Sequence, residues 1–150
     1  MEASSKDIYS RRQQLALLLP GHNEELILAA TIKSALAAGQ DLQNIYVVDD
    51  NSNDNTRQIA LGLLPPENVL TVPRSGKAGA VIKAIEHFEI VERYVWVHVA
   101  DADSIFGDNY FRIYKDNLDI ERFIAAVGFV QSLRGNWLAT YRSFTYTYGQ

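Results

Sequence analysis

The chain has 150 residues, 47% of them hydrophobic and 21% charged, a balance that belongs to one folded domain and not to a disordered segment. A net charge of −4 supplies no basic field for gripping nucleic acid, and the lack of cysteine excludes a disulfide framework and thiolate metal ligation. The polar start, MEASSKDIYSRRQQ, has no apolar signal-peptide core, and no apolar run approaches the roughly 18 residues that span a bilayer, so the expected setting is cytoplasmic.

In chain order, residues 1–14 form a polar lead-in and 15–150 a single domain. Leu15 to Leu19 is an unbroken apolar run ended by Pro20-Gly21, which reads as a strand buried on both faces. Asn23 is placed to cap a helix with Glu24 and Glu25 in its first turn. Leu26, Ile27, Ala30, Ser34 and Ala37 follow at helical spacing, and Gly39 closes it. NIYVVDD is a second strand, DNTRQIALGLL a second helix closed by Pro65-Pro66, and NVLTV a short third strand. The loop PRSGK leads into a helix from Ala78 to about Phe88, and YVWVHVA is the fourth strand. A helix over Asp108 to Leu118, a strand over Phe123 to Val130 and a helix from Asn136 complete the series. The final TYTYGQ carries no capping or turn signal, as if cut within a helix.

Strand alternating with helix, with no hairpin signal, predicts an α/β fold, a Rossmann-like doubly wound and mostly parallel sheet. Such sheets bind ligands beyond the carboxyl ends of their strands, near the topological switch point. Four strand ends therefore matter: Pro20 to Glu25, Asp49 to Asn55, Pro73 to Lys77, and Asp101 to Ser104. After the second strand, Asp54 or Asn53 is placed to cap the next helix, whereas Asp50 at the strand tip is placed to accept hydrogen bonds from a base or ribose. After the third, Arg74 and Lys77 stand beside Gly76 and Gly79 where a helix begins, an arrangement suited to an anion. Neither a dinucleotide glycine fingerprint nor a Walker A loop is present.

At the fourth strand, extended geometry puts Tyr94, Trp96, His98 and Ala100 on one face and Val95, Val97, Val99, Asp101 and Asp103 on the other. The two aspartates then point the same way, about 7 Å apart along the backbone. Left alone, such a pair is mutually destabilising. Hard oxygen ligation of a divalent cation that also holds phosphate oxygens relieves it, as does an Asx-turn with two solvated carboxylates. His98 reads as a core histidine and not a ligand, and His87 as a surface residue.

The order LLLPGHNEE, IYVVDDNSNDNT, VPRSGKAGAVIKAI, WVHVADADS resembles the nucleotide-binding half of the inverting family-2 glycosyltransferases of GT-A fold, and is closest to polysaccharide synthase-type members. The resemblance runs from about Leu15 to Asp103 and more loosely to Gln150. It implies transfer of a sugar from a nucleoside-diphosphate sugar, a UDP-sugar as first choice, to a glycan or lipid-linked acceptor, with Mn²⁺ or Mg²⁺ as cofactor. By the same resemblance Pro20, His22 and Glu24 line the nucleoside pocket, Asp50 contacts the base, and Lys77 lies near the donor phosphates. Asp101 and Asp103 become the D-x-D pair, Asp103 being the direct metal ligand and Asp101 the second. His22 stands where the family usually has tyrosine. The family's catalytic base belongs to an acceptor half that the residues after Asp103 are too few to hold, so it is unassigned, and this chain alone is expected to show at most slow donor hydrolysis.

Two other readings share these features. VVDDNS resembles the acidic pocket of response-regulator receiver domains, although that pair should end the first strand. A nucleotidyltransferase of similar fold would also use paired carboxylates and a metal, but opens with a basic glycine-rich loop where this chain has PGHNEE. In the tail, Trp137, Tyr141, Phe144 and Tyr148 fall at helical spacing and form one aromatic stripe. Such a stripe packs on the domain's own core or lies at a membrane interface, here the cytoplasmic face.

Overall fold

Leu15 to Leu19 have no room for solvent on either side, and the reason is a layer of helix on each face of the sheet they enter. The computed structural model describes residues 13–117, with side chains from Leu15 onward. Strands β1 (Gln13–Gly21), β2 (Ile45–Asp49), β3 (Val69–Thr71) and β4 (Tyr94–Val99) are all parallel and lie in the order β3-β2-β1-β4. The helices between them are α1 (Leu28–Ala37), α2 (Thr56–Leu63), α3 (Gly76–His87) and the short α4 (Ile90–Arg93), and α5 (Tyr110–Asn117) follows β4. This is the doubly wound α/β sheet expected. The predicted strand over Phe123 to Val130 and the helix from Asn136 lie outside the described residues.

Alternation along β1 builds two cores. Leu15, Leu17 and Leu19 join Ile45 and Val47 of β2 in packing on Leu28, Ile32 and Ala35 of α1, Ala60 of α2 and Phe111 of α5. Ala16 and Leu18 face the other way, with Tyr46 and Val48 of β2, onto Ala80 and Ala84 of α3, Phe88 and Ile90. The chain moves outward from β1 through β2 to β3, then returns to place β4 on the other side of β1. The switch point therefore lies between the carboxyl ends of β1 and β4.

Several boundaries differ from the sequence reading. β1 starts two residues inside the polar lead-in, at Gln13. The first helix starts at Leu28, without a side-chain cap, because Asn23 takes a left-handed backbone (φ 60°) and Glu24 and Glu25 are drawn into contacts with another loop. Tyr94 does not share the environment of Trp96. At the very start of β4 its hydroxyl meets that of Tyr46 at 2.7 Å, and it joins the α3-side core, with Arg93 stacked over both rings. β4 itself is the edge of the described sheet, and its Val97 and Val99 are exposed.

Candidate functional site

The ends of β1 and β2 are joined residue by residue. The backbone N–H of Asp50 donates to Gly21 O at 2.9 Å, and beyond that point side chains take over from the ladder. The Asn23 N–H donates to Ser52 Oγ (2.9 Å), while Asn23 Oδ1 accepts from the N–H of Asn53 (3.0 Å). The Glu24 N–H donates to Thr56 Oγ1 (2.7 Å) and the Glu25 N–H to Asp54 Oδ2 (3.1 Å). Glu25 Oε2 in turn accepts from the N–H and side-chain amide of Asn55. Asp54 is not the N-cap expected of it: Asn55 holds that position without a side-chain cap bond, and Asp54, one residue earlier, accepts from the Thr56 N–H at 2.9 Å. The density of Asn, Ser and Asp in NSNDNT was legible as a turn, but its partner was not. These side chains bond equally well within one loop or across two.

Asp50 is buried, and its carboxylate is fully engaged. Oδ1 accepts from the Ser75 N–H (2.7 Å), while Oδ2 accepts from the Gly76 N–H (2.9 Å) and the Arg74 guanidinium (2.7 Å). The carboxylate thus fills the N-terminus of α3, where the helix dipole favours negative charge. Burial pushes its pKa up. The Ser75 and Gly76 N–H groups and the Arg74 charge more than offset this, and the net displacement is downward. The arrangement read from the sequence as suited to an anion does hold one, but it is the chain's own carboxylate that occupies the Ser75 and Gly76 N–H groups. Gly76 makes the geometry accessible, since its φ of 75° is one that side-chain-bearing residues rarely adopt. Asp49, one residue earlier, is equally buried but structural, accepting from the Ser52 N–H and the Thr71 hydroxyl.

The D-A-D stretch is not extended, as strand alternation predicts, but turns. β4 ends at Val99, and the Ser104 N–H donates to Asp101 O at 3.0 Å. Ala102 is the pivot. Its side chain is buried, and its carbonyl accepts the buried Thr31 hydroxyl at 2.7 Å. A Cβ on Gly21 would come within 3.1 Å of the Ala102 Cβ, so β1 and this turn approach more closely than a side chain at residue 21 would comfortably allow. With Ala102 pinned inward, Asp101 and Asp103 are both exposed beside the switch point. Neither Thr31 nor Gly21 was singled out from the sequence. The one signal was a hydroxyl within an apolar helical stripe, and nothing local says what it bonds.

Of the remaining residues of the predicted set, Glu24 and Lys77 lie beside this turn. Pro20 is buried within β1, paired with Val48. His22 Nδ1 lies 3.0 Å from Asp50 O and its other nitrogen 3.3 Å from the Asn23 amide, which fixes the ring. The Glu24 carboxyl is raised above its ordinary value, first by burial and then by the charges of Asp103, Asp54 and Asp101. Lys77, in the first turn of α3, pairs with Asp101. His98 is half-buried rather than fully in the core, ringed by Phe106, Tyr110, Phe111 and Tyr114, with its pKa lowered by burial. His87 is exposed at the end of α3.

Among the described residues no group of three or more histidine, aspartate or glutamate side chains could by itself enclose a metal ion. Asp101 and Asp103 supply a partial, all-oxygen donor set, and their charges act on Glu24 close by. That chemistry fits a hard divalent cation whose shell is completed by oxygens of a bound ligand. The acidic pair Asp49–Asp50 ends the second strand, which removes the receiver-domain reading, where it ends the first.

Comparison with known proteins follows this geometry. The family described as Glycosyl transferase family 2 matches residues 17–148. Two solved structures are similar: S. aureus TarS, at 20% identity and a TM-score of 0.57, and a TarS 1-349 fragment, at 23% identity and a TM-score of 0.48. Each match covers 69% of this chain, and the chain spans only 19% and 31% of the length of those two. No curated protein matches it. The TarS likeness is a likeness of fold, and it agrees with the parallel α/β sheet described above.

Proposed function

The chain belongs to glycosyl transferase family 2, and we propose that it forms the donor-binding half of a GT-A glycosyltransferase that passes a sugar from a nucleoside-diphosphate sugar to a glycan or lipid-linked acceptor. The observation that carries this reading is the gathering of Glu24, Asp101, Asp103 and Lys77 at the switch point between β1 and β4. Pro20, His22 and Glu24 border the nucleoside end. Asp50 reaches the base by trading the half-exposed Arg74 for it, while the backbone N–H groups keep its carboxylate in place. Lys77 serves the diphosphate. Mn²⁺ or Mg²⁺ would be held by Asp103 and Asp101 and would neutralise phosphate charge. No described residue is assigned as the base that takes the acceptor proton.

Calorimetry with UDP, GDP and ADP, each with Mn²⁺, with Mg²⁺ and in EDTA, tests the reading. Metal-dependent binding of one nucleotide, UDP by preference, is expected. Equal binding in EDTA removes the metal role, and no binding of any nucleotide overturns the proposal. The aromatic stripe at 137–148 lies outside the described residues. Among those residues, no helix is long and apolar enough to cross a membrane. We extend the proposal to membrane contact through the stripe, on its composition alone. Flotation with anionic vesicles is the test, and absence of the chain from the vesicle fraction refutes it.

A further inference from the structure

The start of α3 carries two cations, Arg74 just before the helix and Lys77 in its first turn, and each meets a carboxylate at another strand end. Their surroundings differ. The Asp50 side chain is only 4% exposed and is held by two backbone N–H groups besides Arg74. The Lys77–Asp101 pair is open to water at both ends, 56% and 61% exposed. An exposed pair of this kind contributes little and exchanges partners readily. Asp50 therefore anchors the first turn of α3, and Lys77 swings from it on a flexible four-carbon stem.

We propose that Lys77 is an exchangeable counter-ion: without ligand it neutralises Asp101, and a divalent cation takes Asp101 from it and releases its Nζ for the donor phosphates. The proposal rests on the donor-binding reading above and deepens it. Charge sets the direction of exchange. Asp101 and Asp103 are exposed on one turn, with Glu24 near enough to feel both, and among the described residues Lys77 is the cation paired to that turn. A dication meets this charge better than one ammonium. The ammonium holds Asp101 only through an exposed hydrogen-bonded pair, and once freed it can follow the phosphates. Metal and donor would then bind in a coupled way, because the metal creates the cation that the phosphates need.

The exchange makes two effects of one substitution opposite in sign. In the full chain, Lys77→Met is expected to bind Mn²⁺ alone about two- to fivefold more tightly, the size set by losing an exposed competing pair. The same variant is expected to bind UDP about tenfold or more weakly at saturating Mn²⁺, through loss of a charge-assisted contact. Lys77→Gln should repeat both results, and Lys33→Met, which removes the same charge from the exposed side of α1, should show neither. Conversely, Asp101→Asn frees Lys77 without metal, and UDP affinity in EDTA should rise by about two- to fivefold. Titration of free Mn²⁺ by electron paramagnetic resonance and calorimetry with UDP read these changes. Equal or weaker Mn²⁺ binding by both Lys77 variants, with clear binding by wild type, overturns the exchange and leaves the donor-binding reading standing. No Mn²⁺ binding by any of the proteins overturns the metal reading and the exchange with it.

Discussion

Replacing Asp50 with asparagine keeps its shape and removes its charge, and the consequence follows from what its two oxygens hold. Asparagine offers one carbonyl oxygen, so either the Ser75 or the Gly76 N–H then faces an amide NH₂. One charge-assisted hydrogen bond is lost, about 1.5–3 kcal/mol. The favourable position of a negative charge at the start of α3 is lost as well, about 0.3–1 kcal/mol. The guanidinium of Arg74 lies half in solvent, so its pair adds no more than about 1 kcal/mol. Together these give a destabilisation of about 2–5 kcal/mol, or roughly 6–16 °C in Tm for a domain of this size. Arg74→Met, which leaves both backbone bonds intact, should cost about 1 kcal/mol or less. Thermal and urea unfolding of the two variants beside wild type supply the comparison. Acid adds an independent readout. The folded Asp50 carboxyl titrates below its ordinary value of 3.8, so as pH falls the unfolded chain takes up the proton first. Its contribution is present above about pH 3.8 and is lost as pH falls through the folded value, and Asp50→Asn should lack that part of the acid transition. If Asp50→Asn unfolds within 0.5 kcal/mol of wild type (about a third of one charge-assisted bond), the carboxylate does not anchor α3. Weak nucleotide binding by the variant would then report a base contact and not a displaced loop.

Asp103→Ala should lose metal-dependent UDP binding while its Tm stays within about 2 °C, because an exposed turn carboxylate is not core; a large drop in Tm would mark the residue as structural. Gly21→Ala should cost about 1–3 kcal/mol by pressing a new methyl on Ala102, and should weaken Mn²⁺ binding by shifting the Asp101–Asp103 turn; an unchanged Tm in differential scanning would show that the turn yields freely. Burial lowers the His98 pKa below 6.5, so the unfolded chain protonates first and stability declines as pH falls below about 6.5. His98→Phe, in a ring of four aromatic side chains, should flatten the stability curve between pH 7 and pH 5 in urea titrations; the same slope in the variant would exclude His98 as its source.

The alternation of apolar strands with amphipathic helices was legible in the sequence because burial on both faces demands continuous apolar runs, and LALLL and IYVV are such runs, short and, for the first, ended by Pro-Gly. The rule that ligands meet such sheets at strand ends then picked out Asp50, Lys77, Asp101 and Asp103 without coordinates. What each carboxylate faces was decided only by tertiary structure. Asp49 and Asp50 are adjacent in sequence, yet one braces a turn and the other fills the start of a helix 25 residues on, since neighbours on a strand point to opposite faces. Asp101 and Asp103 were expected to align by strand period. They are exposed together because Thr31, some 70 residues earlier, holds the alanine between them, and Gly21, some 80 residues earlier, leaves room for it. Local periodicity is written in the spacing of side chains along the chain. The partner of a hydrogen bond is set by which segments the fold brings within 3 Å of each other, and no window of the sequence contains that distance.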